Sequence, residues 1–285
     1  INLSAIRHNL NQVKRLIGLV VAIMAVVKSD AYGHGIIEIS RFLENEEVQF
    51  LGVAHVHEAI LLRNCGIRLP IVILCGFNSR EEAACIGENK FIPVIYDLVR
   101  ADILNQESIR RGYVSEILIK IDTGMGRLGV MLDDTSTVLR EISRLKGLKL
   151  QGIISHLSSA DEDDQLFTMK QIKRFHDIIS AMKRNGFNLK LNSISNSAGI
   201  MKYKESYFDL VRPGIMLYGG LPNPDFSSPV SLMPVMHLCG RVLQVKEIPP
   251  GNPVGYGRSY YTKGCLLYTS PSPRDLSTSR MPSSA

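Results

Sequence analysis

Short apolar runs recur along the chain, separated by amphipathic stretches. The runs occupy residues 20–27, 50–53, 71–74, 91–95, 116–121, 150–154, 189–194 and 210–211. Between them, residues 58–63, 137–145 and 165–183 carry apolar positions at helical spacing. A first amphipathic stretch, 4–17, sets Ile6, Leu10, Val13 and Ile17 on one face, with Ser4 as its expected N-cap. Continuous apolar strands alternating with helices predict a parallel sheet covered on both faces. Eight such units in about 220 residues fit a (β/α)8 TIM-type barrel, whose usual size is about 250 residues. An open doubly wound sheet is the rival and usually has fewer strands.

Composition changes this picture little. Of 285 residues, 45% are hydrophobic and 21% charged, ordinary for a soluble globular protein of one large domain or two. No apolar run reaches the ~18 residues of a membrane-spanning helix, and the start does not read as a signal peptide. The expected location is therefore the cytoplasm, with no membrane partner. The net charge of +6 is spread out with no Lys/Arg-rich block, which argues against nucleic-acid binding. Five cysteines, at 65, 75, 85, 239 and 265, form neither C-x-x-C nor a zinc spacing and read as reduced thiols, with no metal expected. The chain has no initiator methionine and is expected to be a fragment.

Candidate chemistry gathers at the ends of the predicted strands. Lys28 ends an apolar run and leads into a polar, glycine-bearing turn. A lysine there is costly unless paired or neutralised, and a neutral amine is a nucleophile able to bond a carbonyl. Arg127, His156, Asn196 and Arg212 also stand at or just after strand ends. In a barrel those ends share one face, where active sites are built. Gly124, Gly126 and Gly129 satisfy G-x-G-x-x-G after a strand, but the acidic residue a dinucleotide site needs about 20 residues on is absent, position 149 being Lys. Asp161, Glu162, Asp163 and Asp164 precede a helix and read as a solvated turn favoured by its dipole.

Residues 26–35, Val-Val-Lys-Ser-Asp-Ala-Tyr-Gly-His-Gly, resemble the cofactor-lysine motif of the alanine racemases, departing only at Ser29. The resemblance continues through the Asp-Thr-Gly-Met-Gly-Arg block at 122–127, the histidine at 156, the Asn-Ser-Ala turn at 196–198 and Val-Arg-Pro-Gly-Ile at 211–215. It ends in Val-Gly-Tyr-Gly-Arg at 254–258 and covers roughly residues 1–263. This implies a fold-type III enzyme that uses pyridoxal 5'-phosphate and racemises alanine between two bases. Lys28 would carry the cofactor and serve the D-enantiomer, and Tyr256 would serve the L-enantiomer. In the family that tyrosine enters the partner subunit's site, implying a homodimer.

By the same resemblance Tyr32, Asn196, Ser197, Gly214 and Ile215 hold the phosphate side, His156 stacks on the pyridine ring and Arg212 faces its nitrogen. Arg127 orients the substrate carboxylate, and Lys120 occupies a position that many members carbamylate. An arginine cannot keep the ring nitrogen protonated, which favours proton return over decarboxylation or transamination. The expected role is supplying D-alanine for peptidoglycan. The alternatives are a broader amino-acid racemase, a decarboxylase of the same fold, against which Arg212 counts, and a non-catalytic cofactor-binding barrel.

The composition shifts after Tyr218. Residues 222–229, rich in Pro and Ser, read as a linker, and 236–245 alternate like a strand. The expected organisation is a barrel over 1–221, then a linker and partial C-terminal β-domain over 222–263. Residues 264–285 are Ser/Pro-rich, resemble a translated sequencing adaptor, and are expected to be a non-native, disordered tail.

Overall fold

The computed structural model describes residues 1–263 and 266–270. Its contacts divide into two units, Ile1–Met236 and His237–Ala285. In the first unit the apolar runs form β1 (Ala22–Val26), β2 (Phe50–Val53), β3 (Ile71–Ile73), β4 (Ile92–Ile95), β5 (Ser115–Lys120), β6 (Leu148–Ile154) and β7 (Leu210–Val211). The sheet order is β6-β5-β4-β3-β2-β1-β7, and every pairing is parallel. Parallel neighbours need crossovers, here mostly helices. They are α2 (Lys28–Gly33) and α3 (Ile36–Glu44) after β1, α4 (Val56–Asn64) after β2, α5 (Arg80–Glu88) after β3, α6 (Leu98–Arg111) after β4, α7 (Thr135–Ser143) after β5, and α8 (Leu166–Arg184) and α9 (Ser197–Lys202) between β6 and β7.

Both faces of the curled sheet are apolar, which is why its strands read as unbroken runs. Met24, Val72, Ile92, Val94, Leu118, Ile154 and Leu210 form one cluster on the concave side. Alternate residues such as Ile23, Ala25, Ile73, Ile119 and Ile153 join the larger cluster with the helices. A helix preceding β1, α1 (Leu3–Ile17), buries Ile6, Leu10, Val13 and Ile17 as its spacing predicts. Its cap is Asn2, not Ser4, because the Asn2 side chain accepts from the Ala5 N–H.

Seven strands form where eight were expected. Residues 189–194 make no ladder, only a parallel bridge between Ser193 and Ile154. Polar side chains share the pairing. Asn192 Oδ1 accepts from the Ile153 N–H, Asn192 donates to Asp209, and Ser193 Oγ donates to Leu210 O. Backbone hydrogen bonds nevertheless run from this segment to β6 (Ser193 N to Ile153 O, 3.0 Å) and to the residue before β7 (Asp209 N to Asn192 O, 3.2 Å). Gly152 permits the approach, since a Cβ there would meet Leu191 O at 2.1 Å. Gly152→Ala is expected to cost about 2–3 kcal/mol, read as a lower denaturation midpoint at unchanged slope.

The second unit pairs β8 (Gln244–Ile248) with β11 (Leu266–Ser270) and β9 (Pro253–Val254) with β10 (Tyr260–Tyr261), all antiparallel. Two expectations change here. Residues 236–243 form no strand despite their alternation, since only the stretch facing β11 finds a partner. Residues 266–270, expected to be disordered from composition, form a strand because β8 offers an edge to pair with. The rest of the expected tail, 264–265 and 271–285, lies outside the described residues. Among the described residues no helix is long and apolar enough to cross a membrane, and no cluster of metal-ligating side chains occurs.

Candidate active site

A cavity of about 430 Å³ opens at the C-terminal ends of the first unit's strands. Its walls include Lys28, Tyr32, Lys120, Arg127, His156, Asn196, Ser197, Arg212, Gly214 and Ile215. Four cationic side chains and one carboxylate, Asp161, line it, so it favours anionic ligands.

Lys28 starts α2, whose next four residues are unusual. Ser29, Asp30, Ala31 and Tyr32 have φ of 54–55°, one turn of left-handed helix without a glycine. Such conformations cost about 1–2 kcal/mol per residue, so the surroundings must impose them. Glu58 supplies the main anchor. This buried carboxylate accepts from Ser29 N (2.6 Å), Ala54 N (2.7 Å) and His55 N (3.1 Å). Asp30 Oδ1 accepts from Ile36 N at 2.7 Å, closing the far end. The turn carries the Tyr32 ring to 5.1 Å from that of Tyr218, whose hydroxyl donates to Val26 O at 2.9 Å.

Arg212, 5% exposed, has no carboxylate partner among the described residues. It donates to Ser193 Oγ (2.5 Å), Ser155 O (2.5 Å), Ile194 O (3.3 Å) and His156 Nδ1 (3.2 Å). Burial pushes its guanidinium down to about 9, so it stays charged at neutral pH. Because a guanidinium only donates, Nδ1 of His156 must accept, which puts the imidazole proton on Nε2. Burial, followed by the charges of Arg212, Lys120, Arg127 and Lys28, holds His156 well below the ordinary histidine value. The ring is therefore neutral and presents an Nε2–H donor.

Lys120 has no hydrogen-bond or ion-pair partner among the described residues. Burial, then the charges of Arg212 and Arg127, pushes its amine from 10.5 down to about 7. Between those two values the unfolded chain binds the extra proton, so stability rises with pH across that window and the whole cost is present below about 7. Lys120→Met is expected to remove this slope and stabilise the protein at neutral pH. Denaturation midpoints at both ends of the window, in carbon-dioxide-free buffer, measure it.

The glycine-rich block closes on itself. Asp122 accepts from the N–H groups of Gly124 (2.8 Å), Met125 (2.8 Å) and Gly126 (2.9 Å), so those donors are spent. This is why G-x-G-x-x-G makes no phosphate loop here. Free donors occur elsewhere. The backbone N–H groups of Ser197, Ala198 and Ile215, residues of the cavity wall, have no hydrogen-bond partner among the described residues. Asn196 caps α9 through Gly199 N (3.0 Å), and Ser197 Oγ accepts from Gly214 N (3.0 Å), joining the two segments. A Cβ on Gly214 would lie 2.6 Å from Tyr32 Oη, so glycine lets that hydroxyl approach. Unspent N–H groups beside a phenol suit a phosphate.

A family model described as the alanine racemase N-terminal domain matches residues 1–222. The chain belongs to the alanine racemase family. It is 37% identical over 262 residues to alanine racemase 1 of Caldanaerobacter subterraneus subsp. tengcongensis, covering 92% of this chain and 67% of that protein. Among solved structures it resembles alanine racemase from Clostridium difficile 630, with a TM-score of 0.88, 34% identity, and coverage of 94% of this chain and 70% of that one. The alanine racemase of Bartonella henselae, solved with covalently bound pyridoxal phosphate, matches with a TM-score of 0.80 and 27% identity, covering 94% of this chain and 73% of that one.

Of the residues expected from the racemase motifs, ten line this one cavity. Tyr256 belongs to the second unit, where it starts a single helical turn and is 75% exposed. Motif reading missed Asp161, Leu74 and Cys75 in the cavity wall. It also missed Glu58, whose only sequence signal was an acidic residue three positions after His55, the N-cap of α4.

Proposed function

We infer that this protein interconverts L- and D-alanine with pyridoxal 5'-phosphate, Lys28 and Tyr256 acting as opposed bases. The observation that carries this reading is a buried Arg212 without a carboxylate, sharing a cavity with Lys28 and the unspent N–H groups. The donor set fits the cofactor. Tyr32, Ser197, Ala198 and Ile215 would hold its phosphate, Arg212 its ring nitrogen and Lys28 Nζ its aldehyde carbon. When bound, the cofactor supplies the electron sink that lets the substrate Cα release its proton.

Arg212 offers only donors and so leaves a facing nitrogen unprotonated, which restrains the sink and favours return of the proton at Cα. Arg127 pairs with the substrate carboxylate through its planar fork. Lys28 takes or returns the Cα proton of the D-enantiomer. Tyr256, supplied by a second copy of the chain in a homodimer, does so for the L-enantiomer. A phenol works as a base only with donors behind it, and Arg212 and the Nε2–H of His156 are suited to that role. Lys120, neutral in part near pH 7, can take up carbon dioxide as a carbamate with release of one proton, giving Arg127 an anionic neighbour.

The backbone links of residues 189–194 to β6 and to Asp209, just before β7, support closure of the sheet into an eight-stranded barrel over 1–221. The antiparallel pairs after 236 support a partial β-domain. A cytoplasmic supplier of D-alanine for peptidoglycan is the cellular role in this reading.

The test joins this chain to the C-terminal region of a relative, adds pyridoxal phosphate and follows alanine and serine from L to D. Alanine should approach equal amounts of the two enantiomers. No conversion of either, alongside a cofactor absorbance that Lys28→Ala abolishes, would leave cofactor binding without racemisation.

A further inference from the structure

Gln171, on α8, lies outside the cavity, yet its side chain is fully buried and every hydrogen-bonding position of its amide is used. Its Nε2 donates to Thr123 Oγ1 (3.2 Å) and to His156 O (3.0 Å). Its Oε1 accepts from the N–H (3.0 Å) and the hydroxyl (3.1 Å) of Ser158. One side chain therefore joins the segment after β5, which leads to Arg127, to the segment after β6, which carries His156.

The direction of the network is fixed. Ser155 Oγ spends its proton on Ile121 O (2.8 Å), so in its 2.8 Å contact with Thr123 the threonine must donate. Thr123 then has only acceptor capacity left for Gln171. Hydrogen bonds thus run one way, from Gln171 through Thr123 and Ser155 to the end of β5, and Ser155 O holds Arg212 Nη2. The same face of α8 adds two contacts. Arg174 Nη1 donates to Thr123 O at 2.8 Å, and Phe167 stands where a Cβ on Gly124 would lie, 2.7 Å from Cζ. Residues 167, 171 and 174 are neighbours on a helix, so α8 presents one continuous latch.

We propose that Gln171 is a positioning residue for the racemase site, holding the backbone of His156 and the Arg127 segment in register so that His156 Nδ1 meets Arg212. It touches neither substrate nor cofactor. The proposal rests on the function inferred above for its catalytic consequence, but its structural claim can be read without activity. The charges facing His156 are Arg212 just after β7, Lys120 at the end of β5, Arg127 from the loop after β5 and Lys28 at the start of α2. Displacing His156 changes its distance to all four.

The test compares wild type with Gln171→Leu by histidine ¹⁵N NMR on the cofactor-free chain, His156 being assigned from a His156→Asn spectrum. Wild type should show a single Nε2–H tautomer that stays neutral through the ordinary histidine range near ~6.5. Gln171→Leu should mix tautomers and take up a proton closer to that range. In the loaded enzyme kcat should fall about 10- to 100-fold at nearly constant KM, with the acid limb of the pH profile moved upward. If Gln171→Leu does not fold, Thr123→Val, which removes the linking hydroxyl at equal volume, reads the same shift. An unaltered His156 tautomer and titration in a folded variant overturns the proposal, whatever the activity does. Absent racemisation in the wild-type chain joined to a relative's C-terminal region overturns the function instead.

Discussion

Lys28→Ala abolishes the cofactor's covalent absorbance and lowers racemisation by about 10⁴-fold or more, since attachment and one proton transfer are lost together. The fold should survive, because Lys28 is only half-buried and makes no hydrogen bond or ion pair among the described residues. An unchanged melting curve therefore belongs to the expected result. Tyr256→Phe separates the two bases. It should stop net racemisation while D-alanine still exchanges its Cα proton with solvent through Lys28. Exchange lost equally from both enantiomers would refute this division of labour, and activity within tenfold of wild type in Lys28→Ala would remove Lys28 from the mechanism.

Glu58→Ala has the second largest expected effect, although Glu58 touches no ligand. Three backbone N–H groups, one buried and two part-buried, lose their acceptor at once, at a cost of about 3 kcal/mol. The melting temperature should drop by about 6–12 °C. The left-handed turn over Ser29–Tyr32 stores about 4–8 kcal/mol of unfavourable backbone conformation that its anchors must offset. With Ser29 N released, the turn relaxes and Lys28 and Tyr32 lose their common orientation. Cofactor affinity should then fall about 100-fold, measured by titrating the absorbance at a temperature where the variant is folded. Glu58→Gln, which keeps one acceptor oxygen, should fall between. A Glu58→Ala protein that melts and binds cofactor like wild type would show that the turn needs no such anchor.

The class of fold was legible because a parallel sheet buried on both sides leaves long apolar runs; β1 to β4 lie within those runs, and β5 and β6 overlap theirs. Residues 189–194 misled for a physical reason. Asn192 and Ser193 pair through side chains as well as backbone, and periodicity does not register that exchange. The strand expected over 236–245 formed only from Gln244 onward, since alternation describes a face without naming a partner strand.

The site divides along the same line. Lys28, Arg127, His156 and Arg212 stand in local motifs, and their place at strand ends follows from the pattern of runs. Sequence alone thus determined the parallel α/β class, the family and most of the residues that line the cavity. Only the tertiary structure decided how they are held. The left-handed turn, the three donors on Glu58, the proton on His156 Nε2 and the latch from Gln171 all join residues distant in the chain. Such contacts depend on distances and directions that a linear pattern does not carry. The depressed amine of Lys120 is of the same kind, for burial and the charges of Arg212 and Arg127 exist only once β5, β7 and their loops are assembled.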